Sequence, residues 1–558
     1  MNPVNRLHLT EIVYNFMRRL FLLILLAPAL AWGQGEAKWD YRLGKSMEEL
    51  MAVFREANLY YVDSTNPERM LKAAAKAMLS GLDPYTVYLS DDDMADFETL
   101  ITGKYAGVGA MIRQKGDWVE ISEPKRGTPS DKAGLKAGDR LLYINDTDLK
   151  GLGSEKVSSL LRGEPGTFFV LKYRPLADTA KTKEVTIKRE TITQPSVPYF
   201  GYAADSVGYI RFDSFTEDCS KEVREAIVQL GEGGMKALIL DLTSNGGGSV
   251  GEAINIASFF LPRGSEVVSL RGKIKEMDAK YTTKNAPIEP TIPLAVLMGR
   301  ESASASEILA GALQDLDRAV IIGERSFGKG LVQSPRQIGS NSILKVTTAK
   351  YYTPSGRCIQ ALDYTHRRED GSVDSIPEVM RKVFTTKNGR IVKDGGGIDP
   401  DIYISPEFLA NFTGLLLAYG YLEDFANQYA AHNTHSKEFR VTDALYDDFI
   451  EFMRHKEMRY ESATAVKFEE LRQWAEREKY AERLTEEFAA IERKIKEDKI
   501  KELNTFSKEI KNVLENEIIR RWYYEWGAIE RSLEQNKEVK RAVEILEDKA
   551  EYEKLLGR

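Results

Sequence analysis

The chain has 558 residues and a formal net charge of −7, with 42% hydrophobic and 29% charged residues. That length exceeds a single core and implies about three or four domains. The balance excludes a disordered chain or a multi-span membrane protein, and it gives no basic footprint for nucleic acid.

Arg18-Arg19 precede an apolar run from Leu20 to Ala27, followed by Ala29-Leu30-Ala31 and Trp32-Gly33. Charge, apolar core and small residues in that order predict a secretory signal over 1–33, cut after Ala31 or Gly33. Met17 is the tidier start for it, which makes 1–16 an extension. The run is short for a bilayer span. The expectation is an exported protein; a signal left uncleaved would tether it to the membrane. Cys219 and Cys358 are the only cysteines, so a disulfide framework is excluded and their pairing is left open.

Residues 36–98 are expected to be a helical segment. Ser46-x-x-Glu49 has the form of a capping box, with Leu50, Val53, Phe54 and Ala57 as an apolar stripe. Asn66-Pro67 starts a second helix with proline in its tolerated first position. Gly81-Leu82-Asp83-Pro84-Tyr85 ends it. Asp91-Asp92-Asp93 reads as the first turn of a helix before it reads as a metal site.

Residues 99–190 carry glycine-rich turns between short strands: Tyr105-Ala-Gly-Val-Gly-Ala110, Ser130 to Asp139, a strand from Arg140 to Ile144, a helix from Ser154 to Leu161 and a strand from Phe168 to Tyr173. This run resembles a PDZ domain. Such domains bind a peptide C-terminus by adding it to a strand edge. The resemblance makes Val108 and Gly109 the candidate carboxylate loop, and Arg162 a residue that reports ligand occupancy.

From 191 to 404 strands and helices alternate, as in an α/β domain. Val207–Phe212 and Ala237–Leu242 flank an amphipathic helix, Cys219–Leu230. The second strand leads into Asn245-Gly246-Gly247-Gly248. Leu294 to Met298 forms another short apolar run, followed by Ser302-Ala303-Ser304-Ala305-Ser306-Glu307 and a helical repeat of Ile308, Leu309, Ala312 and Leu313. Ser304 is thereby set at a strand-to-helix junction, where free N–H groups favour a developing negative charge. Ser304-x-x-Glu307 is also a capping box, so spacing alone does not choose among the three serines. Past the run Ala319–Ile322 come Gly328-Lys329-Gly330 and Gln333. Ile343–Tyr352 is an expected strand, and Asp363–Asp394 an expected surface insertion.

A serine needs a base to attack an amide. No histidine lies between Trp39 and Thr365, so a Ser-His-Asp triad among these motifs is excluded. Lysine remains, provided burial keeps it neutral. The motifs SASASEI, FGKGLVQ, DLTSNGGG and TPSGR together resemble the C-terminal processing, or tail-specific, peptidases, a family of Ser-Lys endopeptidases. That resemblance covers about Met47 to Ile404. It implies Ser304 as nucleophile, Lys329 as base, Gln333 as the residue that orients Lys329, and the N–H groups of Gly247 and Ala305 as the oxyanion hole. It also implies a crotonase-like core with a short β-rich subdomain, an acyl-enzyme, no metal or cofactor, and protein substrates with exposed C-termini in the periplasm or cell envelope. Two positions depart from the family pattern: Gly246 stands where proline is usual and Gly299 where asparagine is common.

From 405 to 558 glycine nearly disappears, and charged residues alternate with apolar ones at helical spacing, as in Phe468–Ala475 and Phe488–Ile500. This predicts a helical C-terminal domain, either a solvated bundle or the docking element for an adaptor or a second copy. The whole reads as a multidomain α/β exported endopeptidase. The rival reading is an adaptor or holdase with a PDZ domain and an inactive peptidase fold.

Overall fold

The computed structural model describes residues 39–456, 463–497 and 499–558. The expected signal, 1–33, lies outside the described residues. Contacts divide the chain into two units, one ending at Gly81 and one running from Leu82 to Arg558.

In the first unit, residues 39–60 and Pro67–Ser80 are helical. Asn66 caps the second helix, its side chain accepting from Arg69 N. Ser46 does not start a helix as its spacing suggested. The helix already runs through it from residue 39, because Gly44 alone does not break the turn.

The second unit is built on a six-stranded sheet in the order Tyr199–Ala204, Val207–Arg211, Ala237–Asp241, Leu294–Met298, Val320–Gly323 and Ile402–Tyr403. Only the first pair is antiparallel. Ala237–Asp241 and Leu294–Met298 are buried at every position, so both of their faces must be covered. Helices Cys219–Glu232, Val250–Ala257 and Ala305–Asp315 cover one face around Ile210, Leu238, Leu240 and Val296. The other face is covered by the end of the chain: Val539, Ala542, Ile545, Leu546, Tyr552 and Leu556 pack on Ile239, Ala295, Leu297 and Ile322. The predicted C-terminal segment is helical and packs in two places. Its last two helices, Lys537–Glu547 and Lys549–Leu555, complete the peptidase core.

A second, antiparallel sheet joins Val87–Leu89, Ile343–Tyr352, Glu266–Gly272 and Ala279–Thr282, with Leu331–Gln337 also paired to Ile343–Tyr352. Asp363–Asp394, expected as surface, holds two hairpins. The second is tied inward: Arg390 bonds Asp317 and Asp401, and Arg381 bonds Asp399. Polar composition hid this because all three carboxylates lie outside the 363–394 segment.

The PDZ-like sheet, Ala110–Lys115, Trp118–Pro124, Arg140–Ile144, Phe168–Arg174 and Lys183–Lys188, encloses its own core. Ala110–Lys115 is an edge strand. The helices Asn411–Ala418, Tyr421–His432, Asp443–Arg454 and Ser507–Leu533 form another core around Phe425, Phe449 and Leu514. This bundle grips the sheet through Arg113 with Glu423 and Asp424, and through Arg520 with Glu123. Cys219 and Cys358 are both free thiols. Among the described residues no helix is long and apolar enough to cross a membrane.

Candidate active site

The strand Leu294–Met298 delivers the chain to a turn in which the three serines separate by environment. Ser302 is fully buried and donates to Leu242 O (2.7 Å); Ser306, equally buried, donates to Asn245 O (2.8 Å). Both hydroxyls are spent on holding the turn. Ser304 is only half-buried and precedes the helix Ala305–Asp315. Its backbone sits at φ 56°, ψ −112°, a strained conformation for a residue with a side chain. Tyr351 Oη fixes it further by donating to Ser304 O (3.2 Å).

Glu307, one turn into that helix, is the hub of the site. Its side chain is fully buried. Oε1 accepts from Ser326 Oγ (2.5 Å) and Gly328 N (2.7 Å), and Oε2 accepts from Ser304 N (2.8 Å) and Lys329 N (2.9 Å). One carboxylate oxygen therefore joins the backbone of Ser304 to that of Lys329. The capping spacing read in the sequence is real, yet most of its acceptor capacity goes to a loop about twenty residues on. Burial raises the Glu307 carboxyl to about 7, against the pull of these four donors.

The glycines around Lys329 have a steric cause. Gly328 has φ 86°, and a Cβ there would stand 2.4 Å from Ala361 Cβ; one on Gly330 would stand 2.8 Å from Gln360 N. Packed this tightly, the loop holds Lys329 in place. Lys329 Nζ lies 4.4 Å from the centroid of the Tyr85 ring. Burial lowers the pKa of the amine, as does the positive charge of Lys345, while Glu307 and Asp83 oppose the shift.

The segment Asp83–Thr86 forms this wall. Asp83 accepts from Tyr85 N, Thr86 N and Thr86 Oγ1, a turn closed by its own side chain. Thr347 N donates to Thr86 Oγ1 (3.1 Å), and Gln333 Nε2 donates to Thr347 Oγ1 (3.1 Å). The amide of Gln333 is thus held by Thr347, and no hydrogen bond joins it to Lys329. The Gly81–Tyr85 motif, which in the sequence only ends a helix, stands at the lysine. Its signal was there, in an aspartate before proline and an aromatic residue with no helical or strand periodicity to explain them.

Gly247 approaches Ser304 as closely as backbone allows. It has φ 98°, and a Cβ on it would meet Ala303 O at 2.6 Å and Ala305 N at 2.9 Å. The two expected oxyanion donors therefore belong to neighbouring residues. Gly247 N–H, however, donates to Asn245 Oδ1 (2.9 Å), so in this arrangement it is engaged.

At the PDZ-like loop, Gly109 turns its carbonyl inward to Lys125 N, Thr128 Oγ1 and Ser130 Oγ. Among the described residues the N–H groups of Val108 and Gly109 donate to no protein group. The Val108 side chain belongs to the core of the domain. Arg162 donates to Asp96 (3.0 Å) and stands over the Tyr105 ring.

Three family models match this architecture. Peptidase family S41 matches residues 206–366, a PDZ domain 120–175, and the C-terminal helical domain described for probable PDZ-proteases 412–546. A "Probable CtpA-like serine protease" of Staphylococcus saprophyticus is 30% identical over 364 residues, 63% of this chain and 73% of that protein. One of the same description from Staphylococcus aureus strain MRSA252 is 33% identical over 316 residues, 56% of this chain; the match spans 62% of that relative, less than two thirds of its length. A solved structure, a photosystem II D1 C-terminal processing protease, is 28% identical and covers 64% of this chain and 87% of its own, with a TM-score of 0.35. The S41 model lies over the segment that carries both Ser304 and Lys329, with the PDZ model before it and the helical model after it in the same chain: the protein belongs to peptidase family S41, together with CtpA-like serine proteases, and carries a PDZ domain.

Proposed function

We propose that the chain is an exported serine endopeptidase that cuts proteins near their C-termini through a Ser304–Lys329 pair. The observation that carries this reading is the single Glu307 oxygen that binds Ser304 N and Lys329 N. It fixes the two residues in one frame, and burial favours the neutral amine that a base must be. In this reading Lys329 takes the Ser304 proton as the hydroxyl attacks the amide carbonyl. The protonated amine then returns that proton to the leaving nitrogen, and water hydrolyses the acyl-enzyme with Lys329 again as base.

Ala305 N–H, in the unpaired first turn of its helix, supports one oxyanion contact. Gly247 N–H supplies the second once it leaves Asn245 Oδ1, so substrate binding and release of that bond go together. A preorganised donor such as Ala305 N–H lowers a barrier by about 3–4 kcal/mol; Gly247 N–H gives less, by the cost of breaking its bond to Asn245. Gln333 acts through Thr347 on the strand beside Lys329 and not by contact with the amine. The unpaired N–H groups of Val108 and Gly109, at the start of the edge strand Ala110–Lys115, support capture of a substrate's terminal carboxylate with its tail added to that edge. The signal-like residues 1–33 support export.

Unfolded β-casein incubated with the wild-type chain and with Ser304→Ala tests the reading. Cleavage by the first and not by the second is expected. Equal cleavage, or none by either, rejects it.

A further inference from the structure

A second lysine stands at the site, and the peptidase reading has no use for it. Lys345 lies on the strand Ile343–Tyr352, opposite Val87 on one side and Pro335 on the other. Alternation along a strand puts it on the same face as Thr347, whose hydroxyl bonds Gln333 and Thr86 beside Lys329. It is half-buried, and among the described residues it has no carboxylate partner.

The charges that face Lys329 can be taken element by element. From the helix comes Glu307, whose oxygens are occupied by four donors. From the Asp83–Thr86 turn come Asp83, closed on its own backbone and Thr86, and the Tyr85 ring. From the strand come Lys345 and the Tyr351 phenol, which burial keeps neutral and which bonds Ser304 O. Their neutral donors leave both acids charged, and both favour the Lys329 ammonium, whereas Lys345 opposes it and, among the described residues, bonds no carboxylate of its own. Two ammonium groups sharing a half-dry site oppose each other, and the more deeply buried one gives up its proton first.

We propose that Lys345 is a positioning residue for the reaction: its uncompensated ammonium keeps the neighbouring Lys329 in the neutral form that can accept the Ser304 proton. This rests on the reading of Ser304 and Lys329 as the reacting pair. Like charge and burial act together here, since burial alone would also favour neutral Lys329 but to a smaller extent. Burial lowers the Lys345 amine as well, but Lys329 feels both burial and the Lys345 charge and gives up its proton first; Lys345 contacts no reacting atom.

The test is the pH dependence of Ser304 phosphonylation by a small fluorophosphonate, which needs the activated serine but neither a peptide subsite nor the PDZ domain. In the full chain, Lys345→Gln should move the inflection of the labelling rate upward by about one pH unit, as loss of a close like charge does. Labelling would then be roughly tenfold slower below both inflections and unchanged above them. Lys345→Arg, which keeps the charge, should retain the wild-type inflection. An unshifted inflection in Lys345→Gln overturns the proposal, as does a rate lowered equally at every pH, which is the mark of a structural residue. A rise in KM for peptide with the labelling profile unmoved also overturns it, because Lys345 would then bind substrate. Lys329→Met separates the underlying reading: wild-type labelling in that variant removes the pair itself, whatever Lys345 does.

Discussion

If the last two helices complete the peptidase core, a cavity made in them should weaken the catalytic domain, although the change lies about 240 residues from Ser304 in sequence. Ile545 is fully buried between the helix Lys537–Glu547 and the strands of the central sheet. Truncating a buried isoleucine to alanine costs about 2–5 kcal/mol, depending on how far the site collapses. In a domain of this size that corresponds to a fall of roughly 5–15 °C in melting temperature. Tyr552→Phe should cost less, about 1–3 kcal/mol, because it leaves Leu294 N without the phenol oxygen that accepts its bond (2.9 Å). Removing residues 537–558 altogether takes away Val539, Ile545, Leu546 and Leu556 and uncovers Ile239, Ala295, Leu297 and Ile322 on the sheet face beneath them. At about 1.5–3 kcal/mol per side chain, that loss rivals the whole stability of a domain. The assay is the temperature at which the protein loses fluorophosphonate labelling of Ser304, which reports the catalytic core and ignores the other domains. Ile510→Ala, in the separate helical core, serves as the comparison and should leave that temperature nearly unchanged. Normal labelling and an unshifted midpoint in the truncated chain would refute the reasoning and return the C-terminal helices to a domain of their own.

Glu307→Ala orphans three backbone N–H groups and the Ser326 hydroxyl, so it should abolish labelling of Ser304 and broaden the thermal transition; cleavage of β-casein at the wild-type rate would refute its role as hub. Activity should rise with pH through the depressed Lys329 pKa and then level, because only the neutral amine accepts the proton. The linked stability has the same sign: complete above the ordinary lysine value, it is lost as pH falls through the folded value, which a melting series in alkaline buffers reads directly. Lys329→Arg, permanently charged, should be slower by about 100-fold or more in a steady-state assay. A substrate with a free apolar C-terminus should be cut faster than its amidated twin, and deletion of 102–190 should erase the difference, as judged by competition of the two in one reaction.

Much of this was legible before any coordinates. The runs Leu294–Met298 and Ile343–Tyr352 are strands between the residues their patterns predicted, and Ser154–Leu161 is the predicted helix. The break in apolar periodicity at Ser302–Ser306 marks a strand-to-helix turn because only a few backbone geometries join these elements. The sequence could not tell which serine remained available, since Leu242 and Asn245, which occupy Ser302 and Ser306, are some sixty residues away. Periodicity shows that Val539, Ala542 and Ile545 share a face but not what that face meets, which is the central sheet of the peptidase core. Gln333 was matched by motif, and a motif carries a residue's identity without its partner: here Thr347, and not Lys329. Lys345 gave no signal at all. A lysine in an amphipathic strand is ordinary until it is seen, among the described residues, to bond no carboxylate while its charge acts on Lys329.

The central claim is that Ser304 is made nucleophilic by Lys329. Its most direct measurement is peptide mapping of the fluorophosphonate adduct in the wild-type chain and in Lys329→Met at the same pH. The account predicts a single modified serine, Ser304, in the wild type and none in the variant. An adduct on Ser302 or Ser306, or labelling of Ser304 at an undiminished rate without Lys329, would contradict it.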